Sequence, residues 1–216
     1  EDADVFISTA NNEHSNFLAI PARYYEKANL RERGIEKIDG HYKIHELTKE
    51  LRQVDVFGGF TAATGHSLYT ARAFPKEYWN RVAFIAEPTG RLIHRHILEQ
   101  HGSGFKEKGD GWNVVASSDN CFGPVEAKVG PDGSLWFLDW YNFIIQHNPT
   151  PDGFENGEGN AYIDPLRDNK KGRIYRLVYE DAKKQKSYKL DRKKTSDLLS
   201  ALESDNMFWR LTAQRL

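Results

Sequence analysis

The sequence predicts a mainly β protein: the last blades of a partial β-propeller, running into the start of an α-helical repeat. Three observations predict this. Residues 1–181 read as short apolar runs punctuated by Gly, Pro, Asn and Asp. A phrase of apolar strand, acidic residue, turn and second strand occurs twice. One copy is Arg81 to Glu87, then Pro88-Thr89-Gly90, then Arg91 to Arg95; the other is Gly133 to Asp139, a long insertion, then Gly172 to Arg176. Strand phrases repeated at blade-length spacing are a signature of radially repeated sheets, although a β-sandwich also gives short strands and turns. Third, the pattern beyond Lys194 becomes that of amphipathic helices.

Element by element, Val5–Ile7 is the first apolar run, and Phe17 to Ile20 follows, ended by Pro21. Ala22 to Gln53 is charged and weakly patterned, an excursion on one face of the fold that is partly helical. Strand signals resume at Ser67–Thr70 and Val82–Ile85, then at Leu92–Leu98, Trp112–Ala116, Val125–Val129 and Leu135–Leu138. Pro131-Asp132-Gly133 is a turn, Pro presetting φ and Gly supplying positive φ. Arg173–Val178 closes the series with clear alternation. The segment 182–194 is a basic linker. In 195–216, Thr195 or Ser196 caps a helix with Leu198, Leu199 and Leu202 on one face. Asp205 or Asn206 caps a second, whose Phe208, Leu211 and Leu216 share a stripe near Trp209. Such a hairpin cannot bury both faces alone and needs neighbours.

Composition limits the partners. Thirty basic against 31 acidic residues argue against a nucleic-acid footprint, and the one basic cluster, Lys183 to Lys194, lacks stacking aromatics. The one cysteine, Cys121, excludes an internal disulfide framework, a Cys-rich zinc site and a c-type haem attachment within the chain. No signal peptide and no bilayer-length apolar run is visible. The start at Glu1 without Met, and the stop within an amphipathic segment, read as an internal piece of a larger protein.

The run from Asn120 to Asn142, with Phe122-Gly123-Pro124, Gly130-Pro131-Asp132-Gly133 and Asp139-Trp140-Tyr141-Asn142, resembles the late blades of large membrane-bound dehydrogenases of planctomycete and verrucomicrobial type. These belong with the glucose/sorbosone dehydrogenase-like propellers. Gly159 to Asp168 and Gly172 to Arg176 look like that family's insertion and closing strand. Asn11-Asn12-Glu13-His14 and Gly59 to His66 look like its earlier landmarks. The tail around Phe208-Trp209-Arg210 is similar to its first HEAT-like repeat. Where many relatives carry Arg before the Pro, this chain has Gly123, which weakens any anion site there.

The resemblance implies an extracytoplasmic, membrane-associated bacterial protein that oxidises a sugar-type alcohol or aldehyde. It further implies pyrroloquinoline quinone (PQQ) and calcium as cofactors, and a cytochrome c domain as electron acceptor. By the same analogy, residues after the strand Leu135–Leu138 face the propeller axis. Asp139 would then bind calcium or orient a base, Trp140 stack on the quinone and Asn142 donate a hydrogen bond, with Arg167 in the cofactor-binding insertion. The alternative is structural: Asp139 caps a turn and Trp140 fills space between blades. His66 is the candidate base, an imidazole suited to taking a hydroxyl proton at neutral pH, or else a hydrogen-bonded turn residue. His94 and His96 share a strand face, which permits co-ligation, but no carboxylate is fixed beside them in sequence. With His101 they read as surface histidines on an outer strand. The long insertion between Asn142 and Gly172 reads as a lid. A function of another class stays open: a non-catalytic scaffold that binds a protein or polysaccharide.

Overall fold

The computed structural model describes residues 5–9, 13–20, 22–29, 35–54, 56–146, 150–158, 161–167 and 170–216. Three antiparallel sheets carry the chain, and none of them closes on itself. The first has the order β1 (Val5–Ile7), β2 (Asn16–Leu18), β3 (Ile35–Lys37), with a short helix α1 (Ala22–Lys27) between β2 and β3. The second runs β4 (Thr64–Leu68), β5 (Val82–Glu87), β6 (Leu92–His101), β7 (Gly104–Glu107), and β8 (Asn113–Ala116) also pairs with β6. The third is β9 (Pro124–Val129), β10 (Leu135–Asp139) and β11 (Arg173–Leu177), with β10 central.

Residue choice explains the layering. All six side chains of β5, Val-Ala-Phe-Ile-Ala-Glu, are buried, so this central strand is covered on both faces. Its even-numbered members, Val82, Phe84 and Ala86, join Ile93, Ala127, Leu135 and Phe137 in the main core between the second and third sheets. Its odd-numbered Ile85 faces the other way, onto Ile44, Phe60 and Leu92. A third cluster, Phe17, Ile38 and Leu98, fastens the first sheet to the second. In β10 the alternation is clean: Leu135, Phe137 and Asp139 point in, Trp136 and Leu138 out.

Two expectations about architecture are corrected. The sheets have three, five and three strands with no closed ring among the described residues, in place of successive four-stranded blades. The tail does form two short helices, α2 (Thr195–Leu202) and α3 (Met207–Arg215), but a HEAT-like repeat is not evident. The helix pair is docked onto the β domain instead. Asn206 Nδ2 donates to Gly130 O (2.9 Å), Trp209 Nε1 to Pro131 O (2.9 Å), and the Met207 amide to Thr70 O (3.0 Å). Asn206 also caps α3, accepting from the Phe208 amide at 3.0 Å, whereas α2 starts after Lys194 with no side-chain cap. The leucines expected inside are partly exposed, Leu199 most of all. The buried helix positions are the small residues Ala201 and Ala213. No described helix is long and apolar enough to cross a membrane.

Candidate metal centre

The register of one hairpin builds most of this site. Strands β6 and β7 are joined by the two-residue turn Gly102-Ser103, whose glycine sits at φ 60°. That turn sets Leu98 opposite Glu107. Residues paired across strands share a sheet face, so Glu107 rises on the face that carries Leu98, His96 and His94. The same face continues across the sheet, because His94 pairs with Ile85 and Ile85 with His66. His94 and His96 are therefore buried, 2% and 0% exposed, and are not the surface histidines that the sequence suggests. The carboxylate that was absent from the local pattern arrives through the hairpin.

The first sheet supplies the rest. His14 precedes β2 and lies flat on Phe60, ring centroids 4.0 Å apart. Its loop is held by Thr9, whose amide and hydroxyl both donate to Glu13 O. Asp39, Gly40 and His41 follow β3, and this turn is pinned to β7: the Glu107 amide donates to Ile38 O (2.8 Å), and the Gly40 amide to Glu107 Oε2 (2.7 Å).

Glu107 is the hub. Its Oε1 is 2.7 Å from His94 Nε2, 3.4 Å from His41 Nε2 and 3.5 Å from His96 Nδ1, and its Oε2 is 3.2 Å from His14 Nε2. One donor atom from each of His14, His94, His96 and Glu107 can be chosen so that all four lie within 4.8 Å of one another. Ring centroids of His14–His94, His14–His96 and His94–His96 are 5.0, 5.6 and 6.2 Å apart. Two imidazoles on one ion, each nitrogen about 2.0–2.1 Å from it, place their centroids about 5–6 Å apart at tetrahedral angles. A single transition-metal ion fits this spacing.

Buried polar atoms ordinarily find partners. Here His14 Nδ1, both oxygens of Asp39, His41 Nε2, His66 Nδ1, His94 Nδ1 and both nitrogens of His96 have no hydrogen-bond partner among the described residues. No other part of the described structure concentrates such atoms. Protonation also suits ligation, which needs neutral imidazole and ionised carboxyl. Burial pushes His14 down to about 3 and lowers His94, in both cases against the pull of Glu107. Burial would raise Glu107, but its contacts with His14, His41, His94 and His96 outweigh that and hold it far below the usual carboxylate range. Asp39, its side chain fully buried, is raised by burial and sits 3.7 Å from His14 Nδ1. That places it behind His14, where a carboxylate can orient a ligating imidazole.

Of the residues given a catalytic or cofactor-binding role in the sequence, His66 lies at this centre. Its Nε2 is 2.8 Å from Ser15 Oγ, its ring stacks on Phe6 and meets His96 edge-on at 6.0 Å, and burial lowers it to about 3. Asp139, 2% exposed, accepts from the Gly123 and Tyr141 amides through one oxygen, both at 2.8 Å, which is the bonding of a turn-capping carboxylate. Asn142 accepts from the Ile144 amide, and Trp140 is 42% exposed. Arg167 stacks on Tyr162 at 4.2 Å and donates to Gln146 O. Asp168, Asn11 and Asn12 lie outside the described residues. No curated protein and no solved structure matches the chain. A family model described as a domain of unknown function, DUF7133, matches residues 1–181, and the chain belongs to that family.

Proposed function

We propose that this chain is a metal-binding domain that holds one divalent transition-metal ion on His14, His94, His96 and Glu107. The observation that carries the reading is the convergence of three buried imidazoles on one ionised carboxylate, with both nitrogens of His96 lacking a hydrogen-bond partner among the described residues. Three nitrogens and one oxygen select zinc, iron, copper or nickel over calcium or magnesium, which prefer oxygen shells. The ligands come from two sheets, so the ion joins the loop before β2 to the β6–β7 hairpin. That matters because β1, β2 and β3 have three residues each and hold few ladder bonds of their own.

One observation favours a second reading, oxidation of a sugar-type alcohol, which the family resemblance implies. His66 is half-buried and beside His96, where an imidazole could accept a hydroxyl proton from a substrate near the ion. The test of the main reading is metal analysis. The chain is stripped with a chelator and dialysed separately against zinc, manganese, copper and calcium. We expect about one equivalent of a transition ion to be retained, with calcium lost. A His94→Ala/His96→Ala double variant should retain none. Failure of the unaltered chain to hold any of these ions in stoichiometric amount would overturn the proposal.

A further inference from the structure

A buried centre needs a way in. The four ligands are nearly closed to solvent, and a hydrated divalent ion gives up its waters stepwise, as each is replaced by a protein donor. Two further histidines stand in line between the surface and the ligands. His45 is exposed, on the loop that Ile44 anchors in the core beside Phe60 and Ile85. Its carbonyl accepts from Asn113 Nδ2 at 2.6 Å, which fixes the backbone there to β8. His41, with 22% of its side chain exposed, is the next ring inward.

The spacing along this line is uniform. Ring centroids are 5.1 Å apart for His45–His41, 5.1 Å for His41–His14 and 5.2 Å for His41–His94. Each step matches the separation of about 5–6 Å at which two imidazoles share one ion. An ion can therefore bind the next ring before it leaves the last. His41 is also oriented for the task. Its Nδ1 lies 2.6 Å from Lys43 O, so Nδ1 carries a proton and donates, and Nε2 is turned toward Glu107 at 3.4 Å. Nε2 has no hydrogen-bond partner among the described residues.

We propose that His45 and His41 form the loading route of the metal centre, His45 taking a divalent transition-metal ion from solvent and His41 passing it to His14 and His94. This rests on the metal-centre reading. A residue on the route alters how fast the ion enters and leaves; a residue of the final ligand set alters how tightly it is held.

The test is stopped-flow loading of the metal-free full chain with zinc, and extraction of the loaded chain by a chromogenic chelator. His45→Ala is expected to slow entry and extraction by the same factor, about tenfold, within the range over which on-rates vary among variants of one site. The ratio of the two rates, and so Kd, should stay within about twofold of the unaltered chain. His41→Gln should slow both rates as well. His101→Ala, which removes an exposed histidine off the route, should change neither. Unchanged rates in His45→Ala would overturn the route, as would a weaker Kd at an unchanged entry rate in His41→Gln, which would make His41 a ligand only. If the unaltered chain takes up no zinc, the metal-centre reading has failed, and that result is distinct from either of these.

Discussion

Replacing Glu107 by Gln removes the one ionised donor of the centre and almost nothing else. The side chain keeps its length, and an amide oxygen can still accept from the Gly40 amide that now donates to Oε2. Four-ligand structural zinc sites bind with about 10–16 kcal/mol, so one donor of four accounts for about 3 kcal/mol, or roughly a hundredfold in Kd. The consequence is readable in thermal unfolding. With free zinc at a hundred times Kd, the unaltered chain gains about 2.7 kcal/mol. For a chain of 216 residues that is a rise of about 5–10 °C in Tm. At the same zinc concentration the Glu107→Gln chain is near its own Kd, gains about 0.4 kcal/mol, and moves by only about 1–2 °C. Calorimetry with and without zinc gives both shifts. An equal zinc-induced rise in the two chains would refute the assignment of Glu107 as a ligand.

Three further outcomes follow from the same coordinates. Glu87, fully buried, accepts from the Thr61 and Ala62 amides and from Thr89 Oγ1. Glu87→Ala strands the buried Thr61 amide and the half-buried Ala62 amide at about 1–3 kcal/mol each, so urea unfolding should show a loss of about 2–6 kcal/mol, with no change in metal stoichiometry. Asn206→Ala removes the α3 cap and the bond to Gly130 O; it should cost about 1–3 kcal/mol, and native-state hydrogen exchange should report release of the helix pair while the sheets stay protected. The metal-free chain should lose stability as pH falls. Burial depresses His14 and His66 from 6.5 to about 3, so between these values the unfolded chain binds protons that the folded chain refuses, and the stabilisation present above pH 6.5 is lost on acidification. The unfolding free energy from urea melts in chelator should fall between pH 7 and pH 5 by about 1 kcal/mol per pH unit for each of these two histidines, and His66→Asn should flatten the slope.

The strands were legible because their signal is local. Val82–Ile85, Leu92–Leu98, Leu135–Leu138 and Arg173–Val178 each fall within β5, β6, β10 or β11, give or take a residue, and Asn206 was one of two caps foreseen for α3. The assembly was not legible, because the same short antiparallel strands can be ordered into blades, sandwiches or the three open sheets observed. The helical tail misled for a physical reason. Its leucine spacing suggested a repeat interface, yet the buried helix positions are Ala201 and Ala213, and Trp209 and Asn206 bond the β9–β10 turn.

The metal centre was half visible. His94 and His96 were seen to share a face, and were set aside for want of a carboxylate. That carboxylate is thirteen residues beyond His94, and only the Gly102-Ser103 turn, which fixes Leu98 opposite Glu107, brings it there. His14 belongs to a different sheet, and no spacing rule could have joined it to the hairpin. The signal that was available is compositional: seven of the chain's eight histidines lie upstream of the third sheet, and six of those, at 14, 41, 45, 66, 94 and 96, meet in space.

X-ray absorption at the metal edge, on the full chain loaded with one equivalent of zinc, reads the ligand set itself. The expected first shell is three nitrogens at about 2.0–2.1 Å and one oxygen at about 2.0–2.2 Å, with the outer-shell scattering of three imidazole rings. His96→Ala should remove one ring from that pattern and leave two. A shell of oxygens alone, or a spectrum unchanged when His14, His94 or His96 is replaced, would contradict that ligand set.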